Sequence, residues 1–337
     1  VQARTTTEAR RHLAAFVRAV EAGEYVGTEA TVNQLLDRWL ELVDGRMSAT
    51  TLYTYRGYLR RAVRPTLGGV KVRKVTAEDL DKLYLTLEEQ GLKPASIRQV
   101  HAILRRAFGQ AERWRWIPSN PVRLASPPPV RQAELAPPST ETVVRLVARV
   151  RDRDPQLARF LLCAAITGAR RGELCGLRWE DVDLEAGSVR FGRALIDVSG
   201  EVVLKDTKTH AGRTVAIPAP LVVALGEQYR WVSARAAETD TVPSWVFISP
   251  RFGAGMPWRP DQVTGAFRRL CTEVGVRARL HDLRHYAATT AIAAGIDVRT
   301  VAGRLGHADA STTLRVYSHF VADSDRRAAE LLGGAFG

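Results

Sequence analysis

Thr167-Gly168-Ala169-Arg170-Arg171-Gly172-Glu173 is the stretch that decides how this chain is read. An apolar run at helical spacing, 154 to 166, ends at Gly168, where a turn is expected. A new helix is expected over Arg170–Trp179, with Arg170 at its head. A helix N-terminus supplies free amides and a positive dipole end, and arginine adds a permanent, planar, forked cation. That combination suits a phosphate. Taken alone, such an arginine is more simply a solvated surface cation.

Four further signals follow in chain order. Lys205-Asp206-Thr207-Lys208-Thr209-His210 leads into Arg213-Thr214-Val215-Ala216-Ile217-Pro218. Leu280-His281-Asp282-Leu283-Arg284-His285 comes next, then Arg304-Leu305-Gly306-His307. Tyr317 stands ten residues after His307, in Thr312-Thr313-Leu314-Arg315-Val316-Tyr317-Ser318-His319. Arg170, Lys208, His281, Arg284, His307 and Tyr317 together have the groups needed to cut a phosphodiester without a metal. The five-coordinate transition state gathers negative charge on the nonbridging oxygens, and fixed cationic donors stabilise it. Arg170 and Arg284 are the candidate clamp pair. Tyr317 is the candidate nucleophile; a free phenol has a pKa of about 10, and two nearby guanidiniums would favour its phenolate. His281 and His307 can bond phosphate or tyrosine oxygens and assist proton transfer. Metal ligation by these histidines is disfavoured, because Asp282 and Asp309 do not complete a ligand set with them.

These motifs, in this order and spacing, resemble the tyrosine recombinase (phage-integrase) family, as in an integrase of a phage or integrative element. The resemblance runs over roughly residues 30 to 320 and is strongest after 160. It implies an α+β, mostly helical fold. A helical core-binding domain and a mixed catalytic domain would form a C-shaped clamp on DNA. It implies site-specific cleavage and rejoining through a 3′-phosphotyrosyl link and a free 5′-hydroxyl, with no ATP, metal or cofactor. Lys208, which the family places in a β-hairpin turn, would be general acid to the leaving oxygen; Lys205 competes for that role. Glu173 would orient the site, and His285 would serve structurally. The partners implied are double-stranded DNA attachment sites and a homo-tetramer on two duplexes. The resemblance also implies a DNA-bending protein and a directionality factor as partners, and a cytoplasmic location, at the nucleoid.

Composition agrees with a nucleic-acid partner without requiring one. The 337 residues carry a net charge of +13 and are 45% hydrophobic. Residues 29 to 124 hold 17 Lys+Arg against 10 Asp+Glu, and a basic surplus favours a polyanion through counterion release. Cys163, Cys175 and Cys271 match no zinc spacing and read as buried free thiols. No apolar run approaches the roughly 20 residues of a membrane span, and no signal peptide is evident.

The segments order themselves around a boundary. Residues 125 to 139 are too proline-rich to pack and read as a stiff linker. Before it, 29 to 124 reads as a helical core-DNA-binding domain, with helix starts at Thr31, Ser48 or Thr50, Thr76 and Lys93. Thr51, Tyr55, Lys93, Ser96, Arg98 and Gln99 are its candidate DNA contacts; Arg60, Arg61, Arg64, Arg105 and Arg106 add field. After it, 140 to 322 reads as the catalytic domain, with strands at 187–191 and 214–217 and helices from about 219 onward. A helix at 5–23, within 1 to 28, lacks a core of its own. It is expected to couple to an arm-binding domain truncated upstream, since the chain begins with Val. The tail, 323 to 337, docks either on its own domain or on a neighbouring protomer. Competing functions are a type IB topoisomerase, a non-catalytic architectural DNA-binding protein and a metal-dependent nuclease. The core-binding block and compact C-terminal spacing argue against the first. The intact set of six residues argues against the second, and activity in EDTA separates the third.

Overall fold

Side-chain caps set most helix starts in the first part of the chain. The computed structural model describes residues 5–21, 28–130, 137–198, 200–206, 212–238, 240 and 242–306. Helix α1 (Thr6–Glu21) leaves Leu13 and Val17 exposed. Thr31 closes a capping box with Gln34 at the head of α2 (Val32–Val43). Both partners satisfy amides that a helix start otherwise leaves open. Val32, Leu35, Leu36, Trp39 and Leu40 face the core. Ser48 caps α3 (Ala49–Tyr58), which runs through a wider π turn, Leu59–Val63, into α4 (Arg64–Leu67). Pro65 accounts for that turn, since it has no N–H to give to the carbonyl four residues back. Thr76 and Asp79 form a second capping box on α5 (Ala77–Glu89), and Pro94 opens α6 (Pro94–Arg113). These helices enclose one core that includes Leu59, Leu80, Ile97, Ile103, Leu104 and Phe108.

Two compact units divide between Ala133 and Glu134. The start of the proline-rich stretch is no free spacer. Ala125 is buried in the first core, Ser126 N donates to Asp81, and the Pro128 carbonyl accepts from Arg98.

In the second unit, Ser139 caps α7 (Thr140–Val150) and Asp154 caps α8 (Pro155–Thr167). Gly168 ends α8 with φ of 63°, a conformation in which glycine avoids the Cβ penalty. The expected helix Arg170–Trp179 is shorter: α9 spans Arg171–Cys175, and a 3-10 turn follows at Trp179–Asp181. Strands β1 (Val182–Asp183) and β2 (Ser188–Phe191) begin a three-stranded antiparallel sheet. Next come β3 (Arg193–Val198) and β4 (Glu201–Asp206), paired as a separate hairpin whose register places Arg193 opposite Asp206. Then β5 (Arg213–Ala216) pairs with β2, Phe191 facing Arg213. Helix α10 (Ala219–Ala237) precedes a small ladder of β6 (Ile248–Ser249) and β7 (Gly253–Pro257). Helices α11 (Pro260–Val274), α12 (Asp282–Ala293) and α13 (Val298–Leu305) complete the described part. The pairing of β2 with β5 follows the two strands expected from alternation. The hairpin β3–β4 and the β6–β7 ladder were not expected.

The shortness of α9 has a packing cause. A Cβ on Gly172 would stand 2.7 Å from the Leu195 carbonyl oxygen, and one on Gly176 would stand 3.0 Å from Leu195 N. The helix backbone thus lies directly against β3. Gly172→Ala is expected to destabilise the protein by about 1–3 kcal/mol, because backbone rather than a side-chain tip must give way. Gly226→Ala, inside α10 with nothing within 4 Å of its added Cβ, should instead gain about 0.5–1 kcal/mol of helix propensity. Urea midpoints at unchanged slope would show the two opposite signs. Equal midpoints would refute the close approach.

Candidate active site

Three helix ends and one strand converge on Arg170. Arg170 is the N-cap of α9, and its N–H donates to Glu173 Oε2 at 2.7 Å. Its Nη1 donates to Glu173 Oε1 at 2.9 Å and its Nη2 to the Gly306 carbonyl at 3.3 Å. The Arg170 side chain keeps 45% of its exposure, whereas that of Glu173 keeps 1%. A guanidinium is thereby held at its stem and open at the surface.

Arg213, from β5, completes the cradle of Glu173. Its Nη1 reaches Oε1 at 3.0 Å and its Nη2 reaches Oε2 at 2.7 Å, a bidentate fork. Its Nε donates to the Arg304 carbonyl at 2.8 Å. Burial pushes the Glu173 carboxyl up, but the Arg213 fork and the Arg170 contacts outweigh burial and hold it below the usual carboxylate range. Glu173 is therefore ionised at neutral pH and has no proton to donate. Arg304 turns back from α13 to donate to the Ala216 and Ile166 carbonyls at 3.0 and 3.1 Å.

Arg284 comes from the first turn of α12. It is 3% exposed, and its Nη1 donates to the Gly168 carbonyl at 2.7 Å. Gly168 lies two residues before Arg170, so the two clamp candidates, 114 positions apart in sequence, meet at one backbone turn. There is no room for a side chain there: a Cβ on Gly168 would lie 2.4 Å from Leu305 Cδ2 and 3.3 Å from Ala287 Cβ.

His281 is the N-cap of α12, and its ring meets that of His285 edge to face at 4.9 Å between centroids. Partial burial of the imidazole, then His285 and Arg284, push the His281 pKa down to about 4. A neutral His281 can donate from one ring nitrogen and accept at the other. Burial also lowers the pKa of His285.

The structure thus brings together Arg170, Glu173 and Arg284, with His281 one turn before Arg284. Lys208, His307 and Tyr317 lie outside the described residues. Lys208 falls between β4 and β5, which belong to different sheets, whereas the tight turn of the β3–β4 hairpin is at Gly200. Arg213 and Arg304 stand in the sequence only as motif context. Their partners, 40 and 138 positions away, left no local signal beyond two arginines in otherwise apolar strings. Among the described residues no cluster of His, Cys, Asp or Glu is arranged to hold a metal ion. No helix there is long and apolar enough to cross a membrane. All three cysteines are free and buried.

The six candidate DNA contacts of the first unit differ in placement. Lys93 and Arg98 are exposed, while Thr51, Ser96 and Gln99 are half-buried. The Thr51 hydroxyl is 2.7 Å from Ser48 Oγ, at the head of α3. Tyr55 is buried: its ring stacks on Trp39 at 6.0 Å and its hydroxyl accepts from Arg106 at 2.6 Å. Tyr55 therefore belongs to the core and orients Arg106, with its ring withdrawn from the surface.

Residues 139–323 match the phage integrase family, and residues 31–88 match the phage integrase N-terminal SAM-like domain. An integrase of Saccharopolyspora erythraea is 28% identical over 358 aligned positions, covering 88% of this chain and 80% of that protein. The integrase of the Tn1549 transposon, solved in complex with transposon right end DNA, superposes with a TM-score of 0.78 at 21% identity. That match covers 90% of this chain and 100% of the other. A lambda integrase tetramer bound to a Holliday junction gives 0.67 at 18% identity, covering 87% and 80%. At these identities the structural likeness is one of fold. The family match spans more than half of the chain and includes every residue gathered around Arg170, so the chain belongs to the phage integrase family and is a tyrosine site-specific recombinase.

Proposed function

We propose that this recombinase holds a scissile phosphate with Arg170 and Arg284 and attacks it with the Tyr317 oxygen. The P–O bond to the 5′-oxygen breaks, a 3′-phosphotyrosyl link forms, and Lys208 gives the leaving oxygen its proton. His281 and His307 bond the phosphate or tyrosine oxygens. The reverse attack by a 5′-hydroxyl rejoins the strand; the ester conserves the bond energy, so neither ATP nor a metal is consumed. One observation carries the reading. Two arginines distant in sequence are fixed on the same turn, Arg170 half-exposed and held at its stem by the Glu173 carboxylate, Arg284 buried and bonded to the Gly168 carbonyl. That is a preorganised cationic site for an anion that gains charge in its transition state.

In this reading residues 29–124 bind the core of an attachment site and 140–322 cleave it. Residues 125–139 join the two, and 323–337 dock either on their own domain or on a neighbouring protomer. The DNA-bound transposon integrase and the lambda tetramer on a Holliday junction support double-stranded DNA attachment sites and a homo-tetramer on two duplexes. A DNA-bending protein and a directionality factor would bias the outcome in the cytoplasm, at the nucleoid. The test is capture on nicked DNA carrying candidate attachment sequences, in EDTA. The expected product is a denaturation-resistant adduct whose peptide maps to Tyr317. An adduct seen only with added Mg²⁺, or none despite tight DNA binding, would refute the reading.

A further inference from the structure

One carboxylate at the site serves two guanidiniums. Glu173 is almost fully buried and receives four N–H groups, two from Arg170 and two from Arg213. Arg213 is itself 12% exposed and spans the site. Its guanidinium lies over the Phe191 ring at 4.9 Å, and Phe191 faces it in the β2–β5 register. Its Nε holds the Arg304 carbonyl, and a Cβ added to Gly306 would stand 2.8 Å from its Nη1. The C-terminal turn of α13 is thus packed on the same guanidinium that grips Glu173.

The charges explain why both cations are needed. Arg170, Glu173 and Arg213 together carry one net positive charge. Without Arg213, Glu173 and Arg170 would cancel. In a site of low dielectric the carboxylate would draw the Arg170 fork onto itself. Arg170 would then be spent on an internal ion pair instead of an incoming phosphate. We propose that Arg213 is a positioning residue: it occupies the charge of Glu173, so that Arg170 stays available for the phosphate, and it fixes the end of α13 beside it. This rests on the reading of Arg170 as a phosphate clamp. It gives a role in the reaction to a residue that acts through Glu173.

The competing explanation is a plain staple, in which Arg213 matters only through the Arg304 carbonyl and the packing of Gly306. Single-turnover adduct formation on nicked core-site DNA separates the two, with DNA affinity and melting temperature measured alongside. Arg213→Met is expected to slow adduct formation about 100-fold, the scale for loss of one transition-state donor, with DNA affinity unchanged. Adding Glu173→Gln to Arg213→Met should restore at least about tenfold of that rate, because the amide carries no charge to hold Arg170. Arg213→Lys keeps the charge but loses the Nε bond to Arg304, so it should react much faster than Arg213→Met. A staple predicts the opposite pattern: the double variant no faster than Arg213→Met, and Arg213→Lys as slow as Arg213→Met. Either result overturns the proposal, as does a wild-type rate in Arg213→Met. Should Arg213→Met fail to fold, the ratio of Arg213→Lys to wild type still decides. An inactive wild type in the same assay would instead sink the recombination reading itself.

Discussion

Tyr317→Phe is expected to bind core-site DNA as tightly as wild type and to form no denaturation-resistant adduct, a loss of at least about 10⁴-fold. The substitution deletes one oxygen and keeps the ring, so packing changes little. Of the groups gathered around Arg170, the arginines are cations with no nucleophilic atom, and an imidazole would give a phosphoramidate, chemically distinct from a tyrosyl phosphodiester. The thiols of Cys163, Cys175 and Cys271 are buried and pushed up in pKa by that burial, which keeps them protonated. Thiolate is the reactive form, so these cysteines are inert toward phosphorus. An adduct gel run in EDTA checks the outcome. A surviving adduct in the variant would mean that another residue is the nucleophile.

Arg284→Ala carries the second large effect. Adduct formation should fall by about 10²–10³-fold, the range for removing one preorganised donor to a developing oxyanion. Stability should fall as well, by about 1–3 kcal/mol, because the Gly168 carbonyl would lose its partner in a buried place. The two losses have one origin, since Arg284 both faces the site and holds the turn that presents Arg170. Arg284→Lys tells them apart. A lysine can return the charge but not the planar fork, so it should recover more stability than rate. The chemical reading of Arg284 fails if Arg284→Lys restores both equally, or if Arg284→Ala reacts at the wild-type rate.

Much of this was legible from local signals. Caps at Thr31, Ser48, Thr76 and Ser139 act within three residues, so helix starts were readable along the chain. The catalytic candidates were readable because motif spacing carries them. Errors arose wherever residues remote in sequence decided. Helix α9 stops early because β3 lies against Gly172 and Gly176. Tyr55, a polar aromatic within α3, was expected as a DNA contact; Trp39 and Arg106 settle its place in the core. The proline-rich linker begins later than composition implied, because Asp81 and Arg98 hold residues 126 and 128 on the first unit.

The sequence by itself determined the family, the helix starts, the strand segments expected at 187–191 and 214–217, and the candidate side chains for DNA cleavage. These depend on residue type and short spacing, which a linear string contains. The tertiary structure alone decided how that chemistry is organised. It set Glu173 as the shared anion of two arginines, Arg213 as the second of them, and Gly168 as the junction joining Arg170 to Arg284. The Arg213–Glu173 and Arg284–Gly168 contacts join residues 40 and 116 positions apart. Their worth depends on a burial and a charge balance that no stretch of sequence displays.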